Sequence, residues 1–179
     1  MNELIQKQND IHKTIVEQNN LYFNLWKEYV FTWRWWLAAA MLIIPWIIWF
    51  LLRDKKSTGR FLLSGFFIYF ITSFLDSSGV PFGLWHYNFT PLPYIHSFFI
   101  PWDFSLFPVT VMLMLQYKPK VSPYIKALIF SLFTAFIAEP LFAWTHIYEP
   151  DRWKYYYGVP IYFIIYLLGN RISKIKSFS

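Results

Sequence analysis

Five stretches of mostly apolar residues, separated by short polar segments, dominate the chain after residue 30. They cover residues 33–52, 61–75, 97–117, 124–145 and 158–168. A helix that crosses the hydrocarbon core of a bilayer needs about 20 such residues, with about 17 to 25 tolerated. The pattern therefore predicts an all-α membrane protein, a polytopic bundle of about five transmembrane helices. Thr58 can act as an N-cap that lengthens the second helix. The fifth stretch is short, and it crosses the bilayer only if its flanking residues belong to the helix.

The first 32 residues carry a different pattern. Apolar residues recur there at spacings of three, four or seven, at Leu4, Ile11, Ile15, Tyr22, Trp26 and Tyr29. Such a stripe is typical of an amphipathic helix. We therefore expect two parts, an N-terminal amphipathic segment over residues 1–32 and a transmembrane helical bundle over residues 33–176. The amphipathic helix suits either the outer surface of the bilayer or a helix of another membrane protein.

The composition leads to the same class of protein. Hydrophobic residues make up 56% of the 179 residues and aromatic residues 24%, while charged residues make up only 15%. A soluble domain of this size cannot bury so much apolar surface, so the lipid bilayer must cover the remainder. The net charge of +6 does not indicate nucleic-acid binding, because the basic residues form short clusters between the apolar stretches. With no cysteine, disulfides and thiolate catalysis are excluded.

The distribution of Lys and Arg predicts the orientation. Residues 53–60 hold four of them, residues 118–126 three and residues 171–176 three, whereas residues 76–96 hold none. Because basic loops stay in the cytoplasm, the bundle is expected to have its N-terminus outside and its C-terminus inside. The expected location is a bacterial cell membrane, the cytoplasmic membrane, with a multi-pass topology.

Acidic residues inside or at the end of the predicted spans are the candidates for function, because a charge at mid-bilayer costs about 2.5–3.5 kcal/mol on insertion scales. Asp76 ends the second span, Asp103 lies near the start of the third and Glu139 lies in the fourth. Asp76 also suits a turn, and Asp103 also suits the first turn of a helix that begins at Pro101. Glu139 has no capping role, so it favours a pocket or a buried polar network.

These acids and the outer loops together predict an outward-facing pocket. At 1.5 Å per residue, Asp103 and Glu139 both lie roughly 10 Å below the outer surface. The helical step of about 100° places His146 on the same face as Glu139. We therefore predict an aromatic and acidic pocket formed by Asp76, Trp85, His86, Tyr87, Asp103, Glu139 and His146.

Metal and cofactor chemistry receive no support. The histidines and acids have no compact ligand spacing, so no metal site is predicted. Glycine-rich phosphate loops, a nucleophile elbow and metalloprotease helices are absent from the sequence, so no cofactor is predicted.

Several short motifs carry a family resemblance. They are Trp-x-Tyr at 85–87, Pro-Trp-Asp at 101–103, Gln-Tyr-x-Pro at 116–119, Glu-Pro at 139–140 and Trp-Lys at 153–154. With them, the chain from about Trp33 onward resembles an uncharacterised family of small multi-pass membrane proteins of spore-forming bacilli and clostridia. The resemblance implies a helical bundle and a possible link to sporulation, and that family has no assigned activity.

A weaker resemblance is to small membrane carotenoid cyclases, which also carry a Trp-x-Tyr followed by prolines and acids. The paired glutamates of those enzymes are missing here, and Tyr94, Ile95 and His96 stand in their place. Two functions stay open. The first is a non-enzymatic accessory, sensor or binding component, and the alternative is a membrane lipid or isoprenoid enzyme that uses buried carboxylic acids. A proton-coupled transporter is disfavoured because the five spans show no repeat.

Overall fold

The computed structural model of the chain describes residues 1–175, so residue 176, the predicted end of the bundle, lies outside the described residues. The fold is mostly helical, which confirms the all-α prediction. The helices are α1 (Asn2–Tyr29), α2 (Trp33–Leu52), α3 (Thr58–Gly79), α4 (Phe107–Gln116), α5 (Pro123–Phe133), α6 (Glu139–Trp144) and α7 (Tyr155–Ile172). A 3₁₀ turn (Lys55–Ser57) precedes α3, and two-residue strands β1 (His86–Tyr87) and β2 (Tyr148–Glu149) pair antiparallel.

Three helical stretches are long and apolar enough to cross a membrane. They are Trp33–Leu52, Lys55–Gly79 and Pro123–Trp144. Their outer faces support this role, since large apolar side chains stay exposed there. On α3, for example, Phe66, Phe70 and Phe74 form a row with 55–70% of each side chain exposed. In water such a surface would be unfavourable, whereas lipid covers it without cost.

A central helix stands between these spans. It begins at Pro101 with a wide π-helical turn (Pro101–Leu106) and continues as α4, four residues later than the predicted start at residue 97. Phe107, Val111 and Met112 on α4 are at most 1% exposed, because α2, α3 and α7 surround it. At 16 residues, 6 in the turn and 10 in α4, it rises about 24 Å, less than the roughly 30 Å of a bilayer core.

The fourth predicted span forms one continuous helix, in which a second π-helical turn (Thr134–Ala138) joins α5 to α6. Beside it, α7 packs against α5 and α3. The close approach to α3 is fixed by a buried hydrogen bond, in which Ser64 Oγ donates to the carbonyl oxygen of Gly169 at 2.9 Å. A Cβ at Gly169 would lie 2.7 Å from Ile68 Cδ1, so any larger residue there would force that side chain to shift.

The N-terminal segment is a helix, but no residue within Asn2–Tyr29 is buried. Only its last two turns contact the bundle. Tyr22 stacks on His96 with ring centroids 4.1 Å apart, and Trp26 Nε1 donates to the carbonyl oxygen of Thr90 at 3.2 Å. The helix therefore docks on the loop between α3 and the central helix, and all of its residues before Asn19 are exposed.

Candidate functional site

A cavity of about 250 Å³ lies between α3, the central helix, α6 and α7. We call it the acidic aromatic cavity. Nine of its twenty lining residues are aromatic, and three are acids. The lining residues are Thr72, Leu75, Asp76, Ser78, Gly79, Phe82, Leu84, Trp85, Tyr87, Phe99, Trp102, Asp103, Glu139, Phe142, Ile147, Tyr148, Trp153, Ile161, Tyr162 and Ile165. It reaches the protein surface beside Phe82, which is 76% exposed.

Asp76 is a helix residue, and its interpretation as a turn residue is wrong. Helix α3 continues through it to Gly79, and the Asp76 side chain is buried. Both carboxyl oxygens are hydrogen-bonded: Trp85 Nε1 donates to Oδ1 at 3.1 Å, and the backbone N–H of Phe99 donates to Oδ2 at 3.3 Å. The residue thus ties the end of α3 to two points of the following loop.

Asp103 lies in the π-helical turn that opens the central helix. The turn is closed by a bond from the N–H of Phe107 to the carbonyl oxygen of Trp102, five residues back. Asp103 is fully buried, and neither of its carboxyl oxygens has a hydrogen-bond partner among residues 1–175. A buried polar group without a partner costs free energy, so an unpartnered carboxyl at a cavity wall is typical of a binding or reactive site.

Glu139 follows the second π-helical turn and is the first residue of α6. The hydroxyl of Tyr162 donates a hydrogen bond to its Oε1, whereas Oε2 has no partner within the described residues. Gly158, one helical turn before Tyr162, makes room for this pair, since a Cβ there would lie 3.0 Å from Glu139 Oε1. The sequence analysis did not identify Tyr162 as a site residue; its phenol inside the fifth apolar stretch was the available signal.

The aromatic wall is held by close packing at the end of α3. The indole of Trp85 packs edge to face on Trp153, with ring centroids 4.8 Å apart. On its other side it approaches Gly79 so closely that a Cβ there would lie 2.3 Å from Trp85 Cη2. Tyr87 stacks on Phe99 at 5.0 Å. The loop aromatics therefore form a fixed wall.

His86 and His146 lie outside the acidic aromatic cavity, contrary to the prediction. His86 and Tyr87 are neighbours in β1, and successive strand residues point to opposite faces, so Tyr87 faces the cavity and His86 faces solvent. His86 Nδ1 lies 2.7 Å from Asp151 Oδ2. Helix α6 ends at Trp144, and His146 has a φ of +60°, which turns its exposed ring toward Glu149.

The three acids of the cavity have no basic side chain beside them in the described part of the chain. No Lys, Arg or His within residues 1–175 lines the cavity, and none of the ion pairs in that part of the chain includes Asp76, Asp103 or Glu139. Burial raises the pKa of the Tyr148 phenol, and the Glu139 carboxyl raises it further, so Tyr148 remains a hydrogen-bond donor. The described residues include no cluster of three or more His, Asp or Glu side chains arranged to hold a metal ion.

Of the seven residues predicted from the sequence, the structure brings five together: Asp76, Trp85, Tyr87, Asp103 and Glu139. Comparisons with protein-family models, with curated proteins and with solved structures find no match to the chain.

Proposed function

We propose that the chain is a non-enzymatic, multi-pass protein of the bacterial cell membrane that binds a small ligand in the acidic aromatic cavity. The unpartnered, fully buried carboxyl of Asp103 at the cavity wall carries the proposal. Neither of its oxygens has a hydrogen-bond partner of regular geometry within residues 1–175, although the side chains of Asp76 and Thr72 lie near the carboxyl. The aromatic wall excludes water, as in ligand sites that combine an apolar lining with a few placed polar groups.

The proposed topology has five crossings, with the N-terminus outside and the C-terminus inside. Besides the three apolar spans, the central helix and α7 complete the bundle, and burial of the central helix among its neighbours explains how it tolerates two prolines. In alternating helices, the basic segments after α2, after α4 and after α7 belong to one end. The acidic aromatic cavity belongs to the other end, which the positive-inside rule assigns to the exterior.

Cysteine labelling tests this proposal cleanly because the chain has no native cysteine. Ser77→Cys at the outer end of α3 should react with a membrane-impermeant maleimide on intact cells. Lys120→Cys should react only after the membrane is opened. The opposite pattern would overturn the orientation.

The binding role has its own test at the cavity wall. Thr72 lines the cavity, is only 5% exposed and lies beside Asp103, to whose carbonyl oxygen its hydroxyl donates at 3.5 Å. Thr72→Cys should react with the small neutral reagent methyl methanethiosulfonate in the folded, detergent-purified protein. A thiol that reacts only after unfolding would show that small molecules do not reach the cavity, and the binding proposal would fail.

A second candidate is an enzyme acting on a lipid or isoprenoid. The observation that favours it is the position of Asp103 next to Trp102, whose ring packs edge to face on Phe107 and Phe142. A carboxylic acid among aromatic faces can protonate an alkene and leave a cation that the rings stabilise. Expression in strains that accumulate different isoprenoid precursors should then change the lipid or pigment extract. An extract that does not change in any background excludes this candidate.

We also propose kinship with the family of spore-forming bacilli and clostridia, on the motifs given above. Six of the motif residues line the acidic aromatic cavity: Trp85, Tyr87, Trp102, Asp103, Glu139 and Trp153. The motifs that carry the resemblance therefore lie largely in one part of the fold. Expression confined to sporulation in the source organism would support this kinship, and constant expression through vegetative growth would argue against a spore-related role.

A further inference from the structure

We infer that the ligand of the acidic aromatic cavity is a small organic ammonium ion, a tetramethylammonium or choline-sized cation. This inference rests on the proposed binding function and specifies the chemistry of the ligand. Three observations carry it: the sign of the charge in the cavity, the hydrogen-bonding state of each acid, and the nature of the walls.

The cavity has acids and no base. Asp76, Asp103 and Glu139 line it, while no Lys, Arg or His in the described part of the chain does so. An anionic ligand, such as a phosphate or a fatty-acid carboxylate, would find no basic group to pair with there. A cation would instead stabilise the ionised form of a carboxyl group, and the low dielectric of the site strengthens that attraction.

The acids are not equivalent. Both oxygens of Asp76 accept hydrogen bonds from within the chain, which assigns this residue to positioning the wall. Asp103 has two free oxygens and Glu139 has one, all of them buried. The geometry therefore leaves three acceptor positions for a ligand, on two different helices, since Asp103 comes from the central helix and Glu139 from α6.

The aromatic lining of the cavity favours an organic cation over a metal ion. Nine of the twenty lining residues are aromatic, and aromatic faces attract organic ammonium groups by cation–π contacts. A hydrated metal ion would have to give up its water to enter, and the described residues offer no cluster of three metal-ligating side chains in return. An alkylammonium ion is weakly hydrated, and a volume of about 250 Å³ is adequate for one of four methyl groups.

Protection of a cavity cysteine tests the inference. Two serine or threonine residues of α3 line the cavity: Ser78 at its outer end and Thr72 near Asp103. Ser77, next to Ser78 in the chain, is exposed and does not line the cavity, so it serves as the control. In purified protein, we follow the rate at which methyl methanethiosulfonate reacts with Ser78→Cys. Thr72→Cys serves as a second reporter deeper in the cavity. The competitors are tetramethylammonium chloride, the neutral alcohol 2,2-dimethylpropanol, whose quaternary carbon gives it a similar shape, and sodium chloride at equal ionic strength.

Tetramethylammonium should protect at least one of the two reporters, with an apparent affinity about tenfold above that of the neutral alcohol, because a desolvated cation gains both carboxylate and cation–π contacts. Ser77→Cys should react at the same rate under all conditions. Adding Asp103→Asn, which keeps the size of the side chain, should abolish the preference while the unprotected rate stays within about twofold, as expected of an intact fold. Equal protection by the alcohol, protection that survives Asp103→Asn, or no protection of either reporter would overturn the inference.

The two failures are distinguishable. If neither cysteine reacts without competitor, the cavity is closed and the proposed binding function itself fails. If both react but show no preference for the cation, only the ligand class is wrong. Comparing choline with dodecyltrimethylammonium identifies the source: tighter protection by the tailed cation indicates a lipid-like ligand, and equal protection indicates a free one.

Discussion

Gly79→Ala tests whether the end of α3 and the indole of Trp85 are packed as closely as the structure shows. A Cβ at residue 79 would lie 2.3 Å from Trp85 Cη2 and 2.5 Å from Cζ2. The indole has little freedom to retreat, because Trp153 packs against it and its Nε1 donates to Asp76. Overpacking costs about 1–3 kcal/mol, and loss of the bond to Asp76 costs a further ~1–3 kcal/mol. Alanine's helix preference offsets only about 0.5–1 kcal/mol, so a net destabilisation of about 3 kcal/mol is expected.

The measurement is the free energy of unfolding of the purified protein, from titration of dodecylmaltoside micelles with SDS. Gly65→Ala on the same helix is the matched control. Its Cβ would lie 2.7 Å from the sulfur of Met112, the flexible part of a side chain that can move aside. We expect a change below about 1 kcal/mol for this control.

A double-mutant cycle isolates the contact. In the background of Trp85→Ala the obstructing ring is gone, so Gly79→Ala should cost little there, and the coupling energy should approach the single-mutant effect. Equal destabilisation by Gly79→Ala and Gly65→Ala, or a cost of Gly79→Ala that persists without the indole, would refute the packing described for this wall.

Three further predictions concern other contacts. Tyr162→Phe removes the only hydrogen bond to Glu139 among residues 1–175 and should lower the free energy of unfolding by about 1–3 kcal/mol in the same titration. Adding Glu139→Gln to Tyr162→Phe should reduce this loss. An unchanged unfolding midpoint in Tyr162→Phe would contradict the pairing. Gly169→Ala should destabilise by about 1–3 kcal/mol, and Ile68→Val, which removes the obstructing Cδ1, should restore part of the loss. If it restores nothing, the helices do not meet as described. Deleting residues 1–20 should change stability by less than about 0.5 kcal/mol, because all of them except the half-buried Asn19 are exposed. A larger loss would place that segment against the bundle.

Much of the architecture follows from the sequence alone. The lengths of the apolar runs predicted helices close to the observed α2 and α3. These features are local, since a long apolar run forms a helix wherever lipid surrounds it. The depth argument also placed Asp103 and Glu139 together, because it needed only the rise of a helix per residue.

The exact faces of the helices depended on the tertiary structure. Pro108 and Pro140 each follow a π-helical turn, in which one extra residue widens the helix and relieves the clash between the proline ring and the carbonyl four residues back. A regular step of 100° cannot anticipate that extra residue. It rotates every later residue relative to the residues before the turn. The predicted alignment of His146 with Glu139 failed for a different reason: both residues follow the turn, but α6 ends at Trp144 and His146, with a φ of +60°, is no longer part of the helix.

The sequence by itself determined which residues carry charge into the apolar region, and at what depth. Only the tertiary structure decided their roles: Asp76 is held by Trp85 and Phe99, Glu139 is held by Tyr162, and Asp103 is left free. The physical reason is that an acidic residue within an apolar stretch can be recognised in the sequence, together with the free-energy cost of burying it. The hydrogen-bond partners that offset this cost come from distant segments. Those partners are brought together by helix packing alone.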